Sequence, residues 1–388
     1  MTERSQNLAT RQINYRQSAQ FVPILEHLGC SLLLSTYAAG KVISVGASGG
    51  KLHFDFSNFQ QAMGIATPSQ TQVDSGAETY TNTLAVGTSQ ALWFLRDGEA
   101  LAKQVEPAGE VDRIYLARQS FVTGNIAIHE MAWGSNHQLW VVNTLFSCLA
   151  TLHPDYNFVH QWMPPFISEL APEDRCHLNG LAMRDGEPAF VSALGSTDSA
   201  RGWRESKSAG GIVMSVADKQ IIASGFCMPH SPRFVNGKLF VLDSGRGKLV
   251  TVDLNSGGTT DVAEYPGYGR GLTFAGQFAF VGMSKARETS VFGGVPICQN
   301  REAMRCGVVV VDLTSGRCVA FLEFETGVDE LFDVQVIHDS RRTVLHGPFP
   351  KEDQRAPVWV VPPAEQVDRL RERGKETDFM RILAGKLC

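Results

Sequence analysis

The chain has 388 residues, 19% of them charged, and a formal net charge of −5; it has no concentrated Lys/Arg run, so there is no electrostatic case for a nucleic-acid partner. A hydrophobic share of 43% fits a globular protein with a large core, and 37 glycines spread along the chain point to many turns. No stretch is apolar enough for a signal peptide or long enough for a membrane span, so the expectation is a cytoplasmic protein with no membrane partner.

Residues 1 to 18 are polar. Phe21 to Leu28 read as a short helix, with Pro23 near its start and Gly29 at its end. From Ser31 the apolar period changes to that of strands: SLLLSTY, KVISVGA and KLHFDF, separated by AAG and SGG turns. The stretch from Ile128 to Leu152 then shows a unit of three short apolar runs in series, and similar units start near Ala62, His177, His230, Arg270 and Leu331. The last of these begins LFDVQV, continues TVLHG and takes in VWVVP. Helix-period patterning returns only in the amphipathic tail EQVDRLRERGKETDFMRILAGKL.

Turn chemistry supports this register. NGKLF, AGQFAF and DGEPAF place a small turn residue before each second strand. DLNSGG and DLTSGR repeat one Asp-Leu-x-Ser-Gly turn between third and fourth strands. The reading is an all-β, six-bladed β-propeller over residues 31–362. It is preceded by a polar segment and short helix (1–30), closed by the N-terminal strands and followed by a helical tail (363–388). The eight cysteines include no CxxC pair, and several, such as Cys148 in FSCLATL, fall inside strand-like runs as small buried apolar residues.

The segments EDRCHLNGLAMRDG (173–186), GWRESKSAGG (202–211), HSPRF (230–234), GYGRGLTF (267–274) and CGVVVVDLTSG (306–316) carry a resemblance. Over roughly residues 15 to 365 the chain resembles a conserved bacterial family of propeller-like proteins with no assigned activity. The resemblance implies the fold and brings no cofactor or catalytic residue with it.

Aligning the inner strands by their apolar pairs puts Met63, His129, Asn179, His230, Arg270 and Phe332 at one shared position, where a propeller gathers them around one mouth of its channel. Gly64, Glu130, Gly180, Ser231, Gly271 and Asp333 follow them. His177, two residues before Asn179, points to the same side if the period of two holds there. His129, His177 and His230 then form a candidate set for a divalent metal, with Glu130 or Asp333 as carboxylate ligand or base and Arg270 to stabilise developing negative charge. Water-facing polar residues at strand starts are the plainer reading. Long insertions at 163–178, 195–211 and 285–307 crowd the same mouth, carrying Arg175, Trp203, Arg204, Lys285 and Arg287, and Asn143 lies in the matching short loop of the second unit.

Two functions fit. One is a ligand-binding pocket for a small polar or anionic molecule, extending to a metal-assisted hydrolase or lyase. The other is a non-catalytic scaffold that binds a peptide or protein on the same face. GxSxG, GxxxxGK[ST] and Rossmann signatures do not occur.

Overall fold

The backbone hydrogen bonds of the strands sort them into six sheets, each with four strands in simple antiparallel succession, to which two further edge strands are added. The computed structural model describes residues 12–68, 82–104, 110–135, 137–285 and 293–368. Blades 1 to 5 follow chain order, their inner strands being Ile65–Ala66, Ile128–Trp133, Leu178–Arg184, Pro229–Val235 and Tyr268–Ala275. Blade 6 takes its inner strand, Asp333–Ile337, from the C-terminal side and its other three, Ser31–Thr36, Lys41–Ser48 and Lys51–Asn58, from the N-terminal side. The joining ladder pairs Ser31 with Ile337 and Ser35 with Asp333, so the ring is closed by hydrogen bonds between distant parts of the chain.

The two Asp-led turns lie where expected. Asp253 accepts the N–H groups of Asn255 (3.0 Å) and Ser256 (2.7 Å), and Asp312 accepts the Thr314 N–H (3.0 Å) and the Ser315 hydroxyl (2.8 Å). Each bends the chain between third and fourth strands. The helix spans Phe21–Leu28 and stops at Gly29 in the left-handed region (φ 61°). It buries Phe21, Val22, Ile24 and Leu25 between blades 5 and 6, against Leu32, Ile43, Val308 and Phe324. Comparable apolar clusters lie between the other neighbouring blades, so the core is a ring of inter-blade layers.

Two readings change. TVLHG does not continue blade 6: Thr343–His346 runs parallel to Arg113–Leu116 at the outer edge of blade 1. The place beside the last inner strand is already filled by Ser31–Ser35, and Asp112 captures the turn, accepting from Ser340 Oγ (2.6 Å), Arg341 N (2.7 Å) and Arg342 N (2.9 Å). VWVVP forms no strand either, and Trp359, Val360 and Val361 are exposed. In the polar leader, Tyr15–Gln17 adds a fifth strand to blade 5 through Phe324–Leu322. Residues 364–368 are helical, and the remainder of the expected tail lies outside the described residues. Among the described residues no helix is long and apolar enough to cross a membrane, and the cysteines are free.

The residues that follow the shared inner-strand position explain how tightly the blades meet. Glu130 accepts the Leu181 N–H (2.7 Å), Ser231 the Gly271 N–H (3.1 Å) and Asp333 the Ile65 N–H (2.8 Å), tying blade 2 to 3, 4 to 5 and 6 to 1. Blades 1, 3 and 5 have glycine at the same place. A Cβ on Gly64 would stand 3.0 Å from Glu130 Cα, one on Gly180 2.3 Å from Pro232 Cδ, and one on Gly271 2.2 Å from Val334 N. Side-chain acceptors and bare glycines therefore alternate around the ring. Gly180→Ala is expected to cost about 1–3 kcal/mol through overpacking, read as a lower urea midpoint with an unchanged far-ultraviolet spectrum.

Candidate functional site

At the mouth where the inner strands begin, side chains from blades 2 to 6 make one continuous series of ring contacts. His177 meets Trp203 at 4.6 Å and His129 at 4.8 Å between centroids, and His129 meets Phe332 at 5.1 Å. The Arg270 guanidinium lies over Phe332 at 4.5 Å and Tyr268 at 6.0 Å, and Tyr268 meets His230 at 5.5 Å. The expected convergence of His129, His177, His230 and Arg270 is present in this sense.

Local backbone sets the orientation of the imidazoles. Gln61, Ala127, His177 and Met228, each two residues before the shared position in blades 1 to 4, all adopt left-handed conformations with φ between 52° and 54°. Such residues persist only where the surroundings hold them. In blades 2 and 4 this turn aims a carbonyl at the imidazole. His129 Nδ1 lies 3.0 Å from Ala127 O and 2.9 Å from Thr144 Oγ1, while the Thr144 hydroxyl donates to Leu178 O at 2.5 Å. His230 Nδ1 lies 3.0 Å from Met228 O and 3.1 Å from Ser244 Oγ. With carbonyl acceptors on Nδ1, both rings are assigned the tautomer that leaves Nε2 as a bare acceptor.

His177 reaches the mouth by another route. It precedes the strand in a left-handed turn, so the period of two does not govern it. Asp174 holds it instead, with Oδ1 2.8 Å from His177 Nδ1 and Oδ2 accepting from Trp203 Nε1 at 3.1 Å. Burial, joined by the charges of His177 and Arg270, pushes His129 well below the usual imidazole range. Burial and then Arg270 do the same to His230. Both rings are therefore neutral near pH 7.

The expected metal set does not assemble. Among the described residues no three His, Cys, Asp or Glu side chains are arranged to hold an ion. His129 faces His177, His230 packs against Tyr268 instead, and the carboxylates are turned away. Glu130 is turned into the blade joint, accepting from Leu181 N and paired with Arg233, and Asp333 accepts from Ile65 N, Val334 N (2.7 Å) and Gln335 Nε2 (3.2 Å). Both carboxylates that the spacing placed beside the imidazoles are engaged in the blade joints.

Several of the other expected ligand contacts have partners within the protein. Asn179 donates to Pro229 O (2.9 Å) in the next blade and accepts from Ser192 Oγ (2.7 Å). Asn143 is fully buried; its Oδ1 accepts the Phe146 N–H at 3.1 Å, and its Nδ2 has no partner among the described residues. Arg175 donates to Glu173 (2.8 Å), Asp198 (2.8 Å) and Ser168 (3.0 Å) and pairs with Glu169, so it staples two insertions together. Trp203 is buried in a cluster with Leu194, Cys227, Tyr268, Val295 and Met304, bringing the described parts of the insertions to one mouth as expected. Arg204 is exposed, 5.3 Å from the Trp203 ring. Lys285 sits 3.4 Å from Asp329, and Arg287 lies outside the described residues. The sequence reading missed Ser244, Tyr268 and Glu330. A signal existed for Ser244, which repeats Thr144 one place after the second strand of its blade.

The fold and this mouth define a six-bladed propeller with a histidine- and arginine-bearing funnel. The chain belongs to the family described as Domain of unknown function (DUF4915), whose model matches residues 19–345. No curated protein matches it. Similar solved structures include the Nidogen/Laminin complex, at 9% identity over 80% of this chain and 99% of that one, with a TM-score of 0.48. A protein of unknown function from Bacteroides caccae follows at 10% identity, 79% and 98% coverage and a TM-score of 0.47. A catalytically inactive virginiamycin B lyase from Staphylococcus aureus with quinupristin is similar at 11% identity, 65% and 73% coverage and a TM-score of 0.37. At such values these likenesses carry nothing about chemistry.

Burial raises the Glu130 carboxyl from 4.5 to about 7, with Arg233 opposing and Asp333 adding to the rise. A folded-state value above the unfolded one means that the contribution of Glu130 to stability is complete below about 4.5 and is lost as pH rises through about 7. The stability difference between wild type and Glu130→Gln is expected to narrow over that window, followed by urea melts at successive pH values. A constant difference would show that Glu130 does not titrate there.

Proposed function

We propose that the funnel mouth binds a small polar, anionic molecule. Arg270 meets its acidic group, and His230 accepts a hydrogen bond from a hydroxyl or amine on the same molecule. The reading is carried by two buried atoms that have no hydrogen-bond partner among the described residues, Arg270 Nε and His230 Nε2. One is a donor and the other an acceptor, and leaving such groups unmet costs about 1–3 kcal/mol each. A ligand with an anionic acceptor and a nearby donor satisfies both. Glu330 pairs with Arg270 through Nη1 at 3.5 Å, longer than a strong charge-assisted hydrogen bond, and does not engage Nε.

The same arrangement suits a base-assisted step. A neutral imidazole with its Nδ1–H anchored presents Nε2 as a proton acceptor, and an adjacent guanidinium stabilises the negative charge that proton removal leaves. This supports a lyase-type reaction in preference to metal-assisted hydrolysis, because among the described residues no side chains form a ligand set for a divalent ion.

Titration calorimetry with malate, lactate and phosphoserine, each joining an anion to a hydroxyl or amine, tests the pocket. Binding of at least one is expected, weakened about 10- to 100-fold by His230→Ala or Arg270→Ala. Affinity indifferent to both substitutions would rule the pocket out. A peptide ligand lost on Arg204→Ala alone would favour the scaffold reading.

A further inference from the structure

We propose that the opposite mouth of the channel is a second, separate ligand site, shaped for a small α-amino acid with a compact apolar side chain. A cavity of about 210 Å³ opens there, lined by the downstream ends of inner strands from five blades. It lies on the other side of the joint formed by Glu130 and Asp333 from the histidine mouth.

The cavity follows from one register position. Three residues beyond the shared position the blades carry, in order, Ala66, Ala132, Ala182, Arg233, Thr273 and Gln335. Blades 1 and 2 contribute alanine to the cavity wall and blades 4 and 6 contribute longer polar side chains, while Ala182 packs between blades 3 and 4. Ala66, Ala132, Arg233 and Gln335 all line the cavity. A uniformly apolar funnel would have been filled by larger side chains, as protein interiors normally are.

The polar groups are only partly used. Arg233 directs Nη1 to Pro232 O (2.8 Å), Leu181 O (3.3 Å) and Glu130, while its Nε and Nη2 have no protein partner among the described residues. Gln335 directs Nε2 to both oxygens of Asp333 (3.2 Å), and its Oε1 has no protein partner among them. A guanidinium edge with two free donors suits a carboxylate. A carboxamide oxygen backed by the Asp333 carboxylate suits an ammonium group. Trp133, Met183 and Phe234 supply apolar wall for the remainder of the ligand. The volume falls below the roughly 300–1,000 Å³ of typical ligand pockets, which restricts the occupant to a small molecule.

The probe is L-leucine, compared by calorimetry with 4-methylpentanoate, which lacks the amine, and isoamylamine, which lacks the carboxylate. Saturable L-leucine binding with a Kd of about 1 mM or tighter is expected, with both analogues weaker by tenfold or more. Ala132→Leu fills the cavity without touching the Arg233–Glu130 pair and is expected to weaken L-leucine tenfold or more. Gln335→Met, a second variant in case Ala132→Leu does not fold, is expected to erase the preference for L-leucine over 4-methylpentanoate. Neither substitution should alter ligand binding at the His230 mouth, so failure of one site is distinguishable from failure of the other. No saturable binding at millimolar L-leucine, or binding indifferent to both variants, overturns the proposal.

Discussion

A ring of six sheets has no central strand to hold it, so it depends on what joins one inner strand to the next. Here Glu130, Ser231 and Asp333 each accept a backbone N–H from the following blade, and Gly64, Gly180 and Gly271 let the other three contacts close without a Cβ. The acceptors satisfy inner-edge N–H groups that would otherwise be left over near the channel. Burying two carboxylates for this purpose raises both from their ordinary values, with Arg233 opposing in each case.

That joint also divides the channel. On one side the strands begin, and imidazoles, the Arg270 guanidinium and aromatic rings pack against each other in a series closed over by the insertions. On the other side the same strands end around a small cavity with Arg233 and Gln335 at its wall. Arg233 belongs to both sides of the joint, since its Nη1 pairs with Glu130 and the residue also lines the cavity. Two chemically different surfaces thus arise from positions only three residues apart along each strand.

Much of the site's membership was legible in the chain, and much of its division of labour was not. Aligning apolar pairs brought His129, His230 and Arg270 to one level because strand register fixes which residues share a height along the axis. Register does not say where a side chain ends. Asn179 and Glu130 sit at or beside the aligned position, yet they reach sideways to Pro229 and Leu181, because the adjacent blade offers a backbone partner closer than the funnel does. Arg175 looked like a free cation in a loop and is surrounded by Glu169, Glu173 and Asp198, of which Asp198 belongs to a different insertion. His177 reached the expected place through a left-handed turn and Asp174, a geometry that alternation along a strand does not describe.

The sequence by itself determined the number of blades, the closure by N-terminal strands, the turn types and the short helix, because each is written in local periodicity and in residues with few backbone choices. It did not determine that Thr343–His346 would leave blade 6 for the edge of blade 1, since that follows from a pairing position already occupied by residues some 300 places earlier in the chain. Only the tertiary structure decided which polar groups are consumed in holding the ring together and which are left unpartnered at its mouths, because hydrogen-bond partners across blades are set by proximity in space and carry no signature in spacing.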